Sequence, residues 1–259
     1  MKKGLRIGIA LLLAAVFCFS GWKLLSTGQE YRSGEKTYES MEQYIVLPET
    51  TPPAVEQTDN TEPEQIVEEP DILWPEVDFD ALREINPDVV GWLYIEDTKI
   101  NYPILQGEDN EQYLYRMIDG RYNGAGSLFL GAGLPGDFSG WNNPVYGHNM
   151  KNGSMFGGLP SYKKQEFYEE HPVALLMTPE GNYRVRIFSA YVQQADGDAW
   201  DTSFTEEALT RWLEERIGYS WITTGVVPTA QDKILTLSTC SYETDDSRFL
   251  VHGILEPAA

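Results

Sequence analysis

The sequence predicts a mostly β protein, built as a closed β-barrel with peripheral helices. Two observations support this prediction. Short apolar runs recur from residue 91 to residue 255, and turn-forming residues such as Gly, Pro, Asn and Asp separate most of them. Only one substantial helical pattern lies among these runs, at residues 205–219. A chain of 259 residues can hold one or two domains.

The first 25 residues predict a membrane anchor. Basic residues up to Arg6 precede an uncharged apolar run over residues 7–22, which Leu24 and Leu25 extend towards the ~20 residues of a spanning helix. Basic residues precede the run and no strong basic cluster follows it, which predicts a single-pass protein of the cell membrane with its bulk outside. A cleaved signal peptide is the alternative, because Cys18 and Ser20 are small enough for a cleavage site.

Residues 26–77 predict an acidic, disordered stalk. Glu, Asp, Pro, Thr and Gln dominate this segment, and its sparse apolar residues cannot bury enough surface to offset the chain entropy. The net charge of −21 argues against nucleic acid and anionic membrane surfaces as partners.

The stalk contains Leu-Pro-Glu-Thr at residues 47–50, a match to a sorting motif. We interpret it as a chance match, because no glycine, apolar segment and basic tail follow it.

The folded domain is predicted over residues 78–259. A short helix at residues 79–85 stops at Asn-Pro, and Thr205 and two glutamates suit the start of the helix at residues 205–219. In the latter helix, Leu209, Trp212, Leu213 and Ile217 predict a core-facing stripe. The predicted strands and strand-like runs lie at residues 91–95, 99–105, 127–130, 143–148, 173–178, 182–192, 233–240 and 248–255.

Three reactive side chains stand at the ends of predicted strands. Cys240 ends one strand, Arg248 begins the next after a short polar loop, and His148 ends a run far upstream. Together they supply a nucleophile, a proton carrier and an anion stabiliser. Since Cys18 lies in the apolar segment, Cys240 is the single cysteine of the exported part and a candidate reactive thiol. The alternative is a buried cysteine that acts as a small hydrophobic residue.

These motifs resemble those of sortases, the membrane-anchored cysteine transpeptidases of Gram-positive bacteria, and most closely those of class B. The resemblance rests on Thr-Leu-Ser-Thr-Cys at residues 236–240, followed by Arg248, and on Tyr-Gly-His at residues 146–148. It covers roughly residues 78–255, and the helix at residues 205–219 corresponds to the class B insertion. The supporting motifs are Gly-Trp at 91–92, Ile-Asn-Tyr-Pro-Ile-Leu-Gln-Gly at 100–107 and Phe-Tyr-Glu-Glu-His at 167–171.

The resemblance implies the sortase fold, a closed eight-stranded β-barrel with N-terminal helices and a long helix inserted before the cysteine strand. It also implies that Cys240 attacks the threonine carbonyl of an NPxT-, SPxT- or LPxT-like sorting signal and forms a thioacyl-enzyme, which an amine resolves. His148 would protonate the leaving amine and deprotonate the incoming one. Arg248 would stabilise the oxyanion and clamp the substrate.

The resemblance also implies substrate contacts and partners. Tyr146 and Ser238 should line the groove beside the cysteine, and Leu114 should contact the apolar first half of the signal. The implied partners are sorting-signal peptides of secreted surface proteins, an amine of a peptidoglycan precursor or of a pilin, and the membrane through the N-terminal helix. No nucleic acid, cofactor or metal is implied. Some class B relatives carry an acidic residue directly after the cysteine, where this chain has Ser241, so the local substrate preference stays open.

Two other interpretations remain open at this point. An L,D-transpeptidase is also a β-rich cysteine enzyme of the cell wall, but its arginine normally follows the cysteine more closely, in a His-Gly-Cys context that this chain lacks. From a different class, the protein could be an inactive surface module that binds wall polymer or peptide without turning it over. Covalent capture of a peptide at Cys240 would separate an enzyme from such a module.

Overall fold

The computed structural model describes residues 2–48 and 73–258. The chain begins with helix α1 (Lys2–Met41), a 3-10 helix (Glu42–Tyr44) and strand β1 (Ile45–Val46), which pairs with β2 (Glu76–Val77). The remaining elements are helix α2 (Phe79–Ile85), strands β3 (Val89–Tyr94), β4 (Asn101–Leu105), β5 (Leu128–Leu130) and β6 (Asn142–Tyr146), a second 3-10 helix (Leu159–Lys163), helix α3 (Gln165–Glu170), strands β7 (Val173–Thr178) and β8 (Gly181–Gln194), helix α4 (Glu206–Tyr219), and strands β9 (Ile234–Cys240) and β10 (Ser247–Pro257).

Eight strands close into a barrel in the order β10-β8-β7-β3-β4-β5-β6-β9. Most neighbours are antiparallel, whereas β4 pairs with β5 and β6 pairs with β9 in parallel. The parallel pair of β6 and β9 is important for the site because it joins two distant parts of the sequence. The predicted fold, a closed eight-stranded barrel with N-terminal helices and a long helix before the cysteine strand, is confirmed.

Strand β9 separates two apolar clusters because its side chains alternate between the two faces of the sheet. Leu235 and Leu237 belong to the main core inside the barrel, whereas Ile234 packs outside it. The segment between β8 and β9 covers this outer face with α4, whose Leu209 and Trp212 belong to the same apolar cluster as Ile234. Thr205 caps this helix by accepting a hydrogen bond from the Ala208 backbone N–H at 3.3 Å. The insertion thus buries most of the outer face of β9.

The end of α1 docks on the barrel, in contrast to the disordered stalk that the sequence predicts for residues 26–77. Tyr38 is 4% exposed, and its hydroxyl donates to the Gly126 carbonyl at 2.6 Å. Met41 and Ile45 are also buried. The segment has few apolar residues, but Tyr38 and Met41 lie one helical turn apart and share the face that meets the barrel. Residues 49–72 of the predicted stalk lie outside the described residues.

Within the described parts of the chain, α1 is the one helix that is long and apolar enough to cross a membrane. The candidate span is Ile7–Tyr44, with a mean hydropathy of 2.0 in its most apolar window. None of that window is buried against the rest of the protein. The same helix therefore combines an exposed apolar half with a half that packs on the barrel.

Candidate active site

Cys240 and Arg248 lie opposite each other at one end of the barrel. Cys240 is the last residue of β9, and Arg248 is its direct partner in β10. Directly opposed residues point to the same face of a sheet, with Cβ atoms about 5 Å apart. Cys240 is half-buried and carries a free thiol. The strand pairing therefore places Cys240 and Arg248 next to each other on the outer face, the pairing of strand ends that the sequence predicts.

The guanidinium of Arg248 is partly anchored by its own turn. Nη1 donates to Asp246 Oδ1 at 3.1 Å and to the Ser247 carbonyl at 3.1 Å. Its Nε and Nη2 have no protein partner among the residues that the structure describes. The side chain is 30% exposed, so these remaining donors can reach a bound anion or carbonyl oxygen.

The parallel pair of β6 and β9 brings the upstream motif to the cysteine. Tyr146 is the register partner of Ser238. Gly147 extends this contact, since its N–H donates to the Ser238 carbonyl at 3.1 Å and its carbonyl accepts from Thr239 Oγ1 at 2.7 Å. A Cβ on Gly147 would lie 2.4 Å from a core leucine methyl carbon, so a side chain does not fit there. Because Gly147 lies this close to Ser238 and Thr239, the next residue, His148, lies near the end of β9.

Backbone and side-chain contacts then fix His148 on both sides. Asn149 Nδ2 donates to the Cys240 carbonyl at 2.8 Å, which ties the residue after the histidine to the cysteine itself. The imidazole Nε2 lies 2.7 Å from the Leu114 carbonyl oxygen. Because a carbonyl can only accept, Nε2 carries the hydrogen, and Nδ1 is left to exchange protons. The Tyr115 ring packs on the imidazole with centroids 5.4 Å apart.

The three predicted substrate contacts have different surroundings. Leu114 is half-buried and holds His148 through its backbone. Tyr146 is half-buried beside Phe129, and burial raises the pKa of its phenol to about 12. Ser238 is only 2% exposed, and its hydroxyl accepts a hydrogen bond from the Trp200 indole at 3.1 Å. The structure therefore brings all three close to His148 or Cys240, but Trp200 covers Ser238.

Sequence reasoning missed the ion pair that holds the Trp200 segment in place. Arg216 is fully buried and binds Asp198 through two hydrogen bonds of 2.8 and 3.2 Å. Burial raises the pKa of Asp198, but the hydrogen bonds and charge of Arg216, with a hydrogen bond from Gln193, outweigh it and lower the pKa overall. In α4 the predicted stripe included Ile217, which is 37% exposed, whereas Arg216 takes the buried position. Arg216 follows Trp212 by four residues and therefore lies on the same face of the helix, which is the feature of the sequence that predicts its burial.

A second buried network contains His252, which the sequence places simply within a strand. Asn142 Nδ2 donates to two backbone carbonyls, so its oxygen accepts from the Thr236 hydroxyl at 2.6 Å. The Thr236 oxygen then accepts from His252 Nδ1 at 2.8 Å, and His252 Nε2 accepts from the Tyr191 hydroxyl at 3.1 Å. This assignment makes the ring neutral. Burial, and then repulsion by Arg216, hold the pKa of His252 well below its usual value.

Comparisons with known proteins agree with this geometry. A family model described as the sortase domain matches residues 93–256. Sortase B of Listeria monocytogenes is 32% identical over 258 residues, which cover 98% of this chain and 98% of that protein. Sortase B of Staphylococcus aureus is 29% identical and covers 97% of this chain and 96% of that protein.

Solved structures show the same likeness. The S. aureus sortase B–substrate complex has a TM-score of 0.67 at 32% identity, covering 70% of this chain and 85% of that one. Bacillus anthracis sortase B in complex with AAEK1 has a TM-score of 0.71 at 30% identity, covering 89% and 99%. The sortase match decides against an L,D-transpeptidase. The chain belongs to the sortase family of cysteine transpeptidases, and within that family it is similar to sortase B.

Proposed function

We propose that this protein cleaves sorting signals after their threonine and transfers the surface protein to an amine of peptidoglycan. The signals would be of the NPxT, SPxT or LPxT type. The observation that supports this most strongly is that strand pairing and the Asn149–Cys240 hydrogen bond bring Cys240, Arg248 and the segment of His148 to one end of the barrel. The S. aureus relative in complex with substrate supports a peptide as the first substrate.

The acylation step uses all three side chains. The thiolate of Cys240 attacks the threonine carbonyl carbon, and the carbonyl oxygen takes up negative charge. The free donors of Arg248 stabilise this oxyanion, since a guanidinium keeps its charge through the reaction. His148, protonated at Nδ1, gives that proton to the leaving amine as the C–N bond breaks. The products are a thioester at Cys240 and the released C-terminal peptide.

In the second step the thioester is broken, and His148 accepts a proton instead of donating one. An incoming amine attacks the thioester carbon, and Arg248 again stabilises the oxyanion. Neutral His148 accepts a proton from the attacking nitrogen at Nδ1. The C–S bond then breaks and releases Cys240 as a thiolate. The hydrogen bond from Nε2 to the Leu114 carbonyl keeps the ring in the tautomer that both steps need.

Leu114, Tyr146 and Ser238 line the proposed groove for the sorting signal. Tyr146 offers a half-buried ring face beside the cysteine strand. The hydroxyl of Ser238 reaches substrate only if the Trp200 indole moves, so the indole itself is the surface that a peptide meets first at this position. Alanine substitution of Leu114, Tyr146 and Ser238 together tests this groove, which would lie elsewhere if peptide turnover were unchanged.

The same proposal places the enzyme at the outer side of the membrane. Residues 1–25 form the anchor, with the catalytic domain over residues 78–259 outside the cell. The exposed apolar half of α1 supports the anchor, and the basic residues before the apolar run support the orientation. Retention of the anchor, rather than cleavage as a signal peptide, keeps the domain near secreted substrates. Intact mass measurement of the protein from purified membranes tests whether residue 1 is retained.

Product analysis tests the activity itself. The full-length protein in detergent micelles is incubated with NPxT-, SPxT- and LPxT-type peptides, with and without an amine acceptor. We expect cleavage after threonine, an amide product when amine is present, and neither product with Cys240→Ala. Peptidoglycan-type amines and a pilin-type lysine peptide, compared as acceptors, separate wall anchoring from pilin polymerisation. A protein that binds the peptides without cleaving any of them would be a binding module instead.

A further inference from the structure

Two exposed tyrosines extend outward from the catalytic histidine. The Tyr115 ring packs on the His148 imidazole, and the Tyr122 ring stacks on Tyr115 with centroids 5.8 Å apart and planes 21° apart. Tyr115 is 46% exposed and Tyr122 is 75% exposed, so neither ring fills the core. Three aromatic rings therefore form a row from the active site into solvent.

Backbone hydrogen bonds hold together the loop that carries these tyrosines. Asn123 N–H donates to the Tyr115 carbonyl at 2.9 Å, and Met117 N–H donates to the Arg121 carbonyl at 2.9 Å. Arg116 and Tyr122 form an antiparallel bridge. These contacts hold the two rings at a fixed place beside His148, although water surrounds them.

An open cleft of about 650 Å³ lies along this row of rings and is mostly acidic. Its charged lining residues are Glu108, Asp109, Glu111 and Arg116, with Gln112 and the two tyrosines completing it. Asp109 accepts backbone N–H groups of Glu111 and Gln112 at 2.9 and 2.8 Å, so it serves the loop. The carboxylates of Glu108 and Glu111 have no hydrogen bond or ion pair within the described residues. The surface thus complements a cation.

The position of this surface relative to the cysteine adds a second argument. In the barrel, β9 lies between β6 and β10, so His148 and Arg248 flank Cys240 from opposite sides. An amine that gives its proton to His148 has to approach from the β6 side. The tyrosines extend from that side, and amines in peptides are ammonium ions at neutral pH. Exposed aromatic faces and carboxylates both attract such ions.

We propose that the Tyr115–Tyr122 surface, with Glu108 and Glu111, docks the amine-bearing acceptor peptide of the second step. This inference rests on the proposed transpeptidase function and assigns a surface to its second substrate. The ammonium then moves from this surface to Cys240 and loses one proton to solvent. Its nitrogen then attacks the thioester carbon, His148 takes the second proton, the new amide C–N bond forms, and the C–S bond breaks to release the thiolate.

Steady-state kinetics with two substrates test the assignment. Full-length protein is assayed with a cleavable sorting-signal peptide and with triglycine as the amine, and hydrolysis is measured alongside amide formation. Tyr122→Ala should raise the KM for triglycine by about fivefold, and the double change Glu108→Gln with Glu111→Gln should raise it by about threefold. In each variant, kcat/KM for the sorting-signal peptide should change less than twofold. Tyr122 is chosen because, unlike Tyr115, it has no ring contact with His148 in the described part of the chain.

Two controls sharpen the kinetic result. Tyr242 is also 75% exposed, but it lies in the loop between Cys240 and Arg248, so Tyr242→Ala should leave the KM for triglycine unchanged. Salt should raise the KM for triglycine in the wild type and less so in the double glutamine variant. An unchanged KM for triglycine in Tyr122→Ala, or a raised KM for the sorting signal instead, would overturn the assignment.

A binding measurement keeps this inference separable from the proposed function. Triglycine is titrated into full-length Cys240→Ala protein, which cannot form a thioester, and into the same protein that also carries Tyr122→Ala. Weaker binding to the double variant supports the docking surface even if the wild type forms no thioacyl-enzyme, an outcome that would overturn the transpeptidase function alone. Equal binding to both proteins would overturn the docking surface even if acylation proceeds normally.

Discussion

Asn149 donates a hydrogen bond from its side chain to the backbone carbonyl of Cys240, at 2.8 Å. This contact joins the residue directly after His148 to the cysteine, across 91 positions of sequence. The parallel pairing of β6 and β9 brings the two strands together, and the Asn149 amide holds their ends in register. It follows that the distance between imidazole and thiol depends on a residue that touches neither reacting atom.

Asn149→Ala tests this positioning role. Loss of one hydrogen bond, worth about 0.5–1.5 kcal/mol, should lower kcat by roughly threefold to tenfold. The KM for the sorting-signal peptide should stay within twofold, because Asn149 is not one of the proposed groove residues. Asn149→Gln, which can still donate, should recover part of kcat, and a purely structural role would instead change thermal stability without this split between kcat and KM.

Arg248→Ala tests the oxyanion stabiliser. Removing one such donor group typically lowers the rate by about 10²- to 10³-fold, and we expect a loss of this size in kcat/KM for the sorting-signal peptide. The kcat/KM of Arg248→Lys should lie between those of the wild type and Arg248→Ala, because lysine keeps the charge but lacks the planar, forked guanidinium. The control is Asp246→Asn, which removes the exposed carboxylate beside Nη1 and should cost less than threefold. Near-normal kcat/KM in Arg248→Ala would rule out this role.

Asp198→Ala tests the buried ion pair beneath the Trp200 segment. The fully buried Arg216 would then keep only Glu215, at 3.4 Å, as an acidic partner among the described residues. We expect a loss of about 2–4 kcal/mol in the free energy of unfolding, somewhat below a fully buried pair because water partly screens Asp198. Urea unfolding followed by tryptophan fluorescence measures it. Asp201→Ala, three residues along the same segment, should change stability by less than about 0.5 kcal/mol.

His252 predicts a dependence of stability on pH. Because burial lowers its folded-state pKa, the ring is neutral in the fold, while the unfolded chain binds a proton below about pH 6.5. The unfolded state therefore binds more protons as pH falls, and this group lowers stability by up to about 1.4 kcal/mol per pH unit below that point. In His252→Gln, the urea midpoint should fall less steeply between pH 6.5 and pH 5. An equally steep fall in this variant and in the matched control His171→Gln would contradict the assignment.

Sequence patterns predicted the parts of the site that depend on local structure. Alternation in β9 and β10, with a short loop between them, was enough to place Cys240 beside Arg248. Family motifs supplied His148, but its contacts with Leu114 and Tyr115 arise from a loop that has no periodic pattern. Such contacts depend on how distant segments pack together, and the local patterns of a sequence do not show that packing.

The less accurate predictions have a common physical cause, which is the weight given to composition over spacing. The stalk prediction counted few apolar residues after residue 26, but Tyr38 and Met41 share one helical face and meet the barrel. In α4, composition favours the apolar Ile217 for the core-facing stripe, whereas the charged Arg216 continues the buried stripe of Leu209 and Trp212. Asp198, from a segment without a pattern, makes that burial possible.

Covalent capture of a peptide is the most direct test of the central claim that Cys240 is the nucleophile of a transpeptidase. Full-length protein in detergent micelles is mixed with each sorting-signal peptide in the absence of amine, and its intact mass is measured. We expect an added mass equal to the N-terminal part of one peptide up to its threonine, which is lost on addition of amine and never forms with Cys240→Ala. A folded protein with a free thiol that binds the peptides but gains no mass from any of them would contradict the claim.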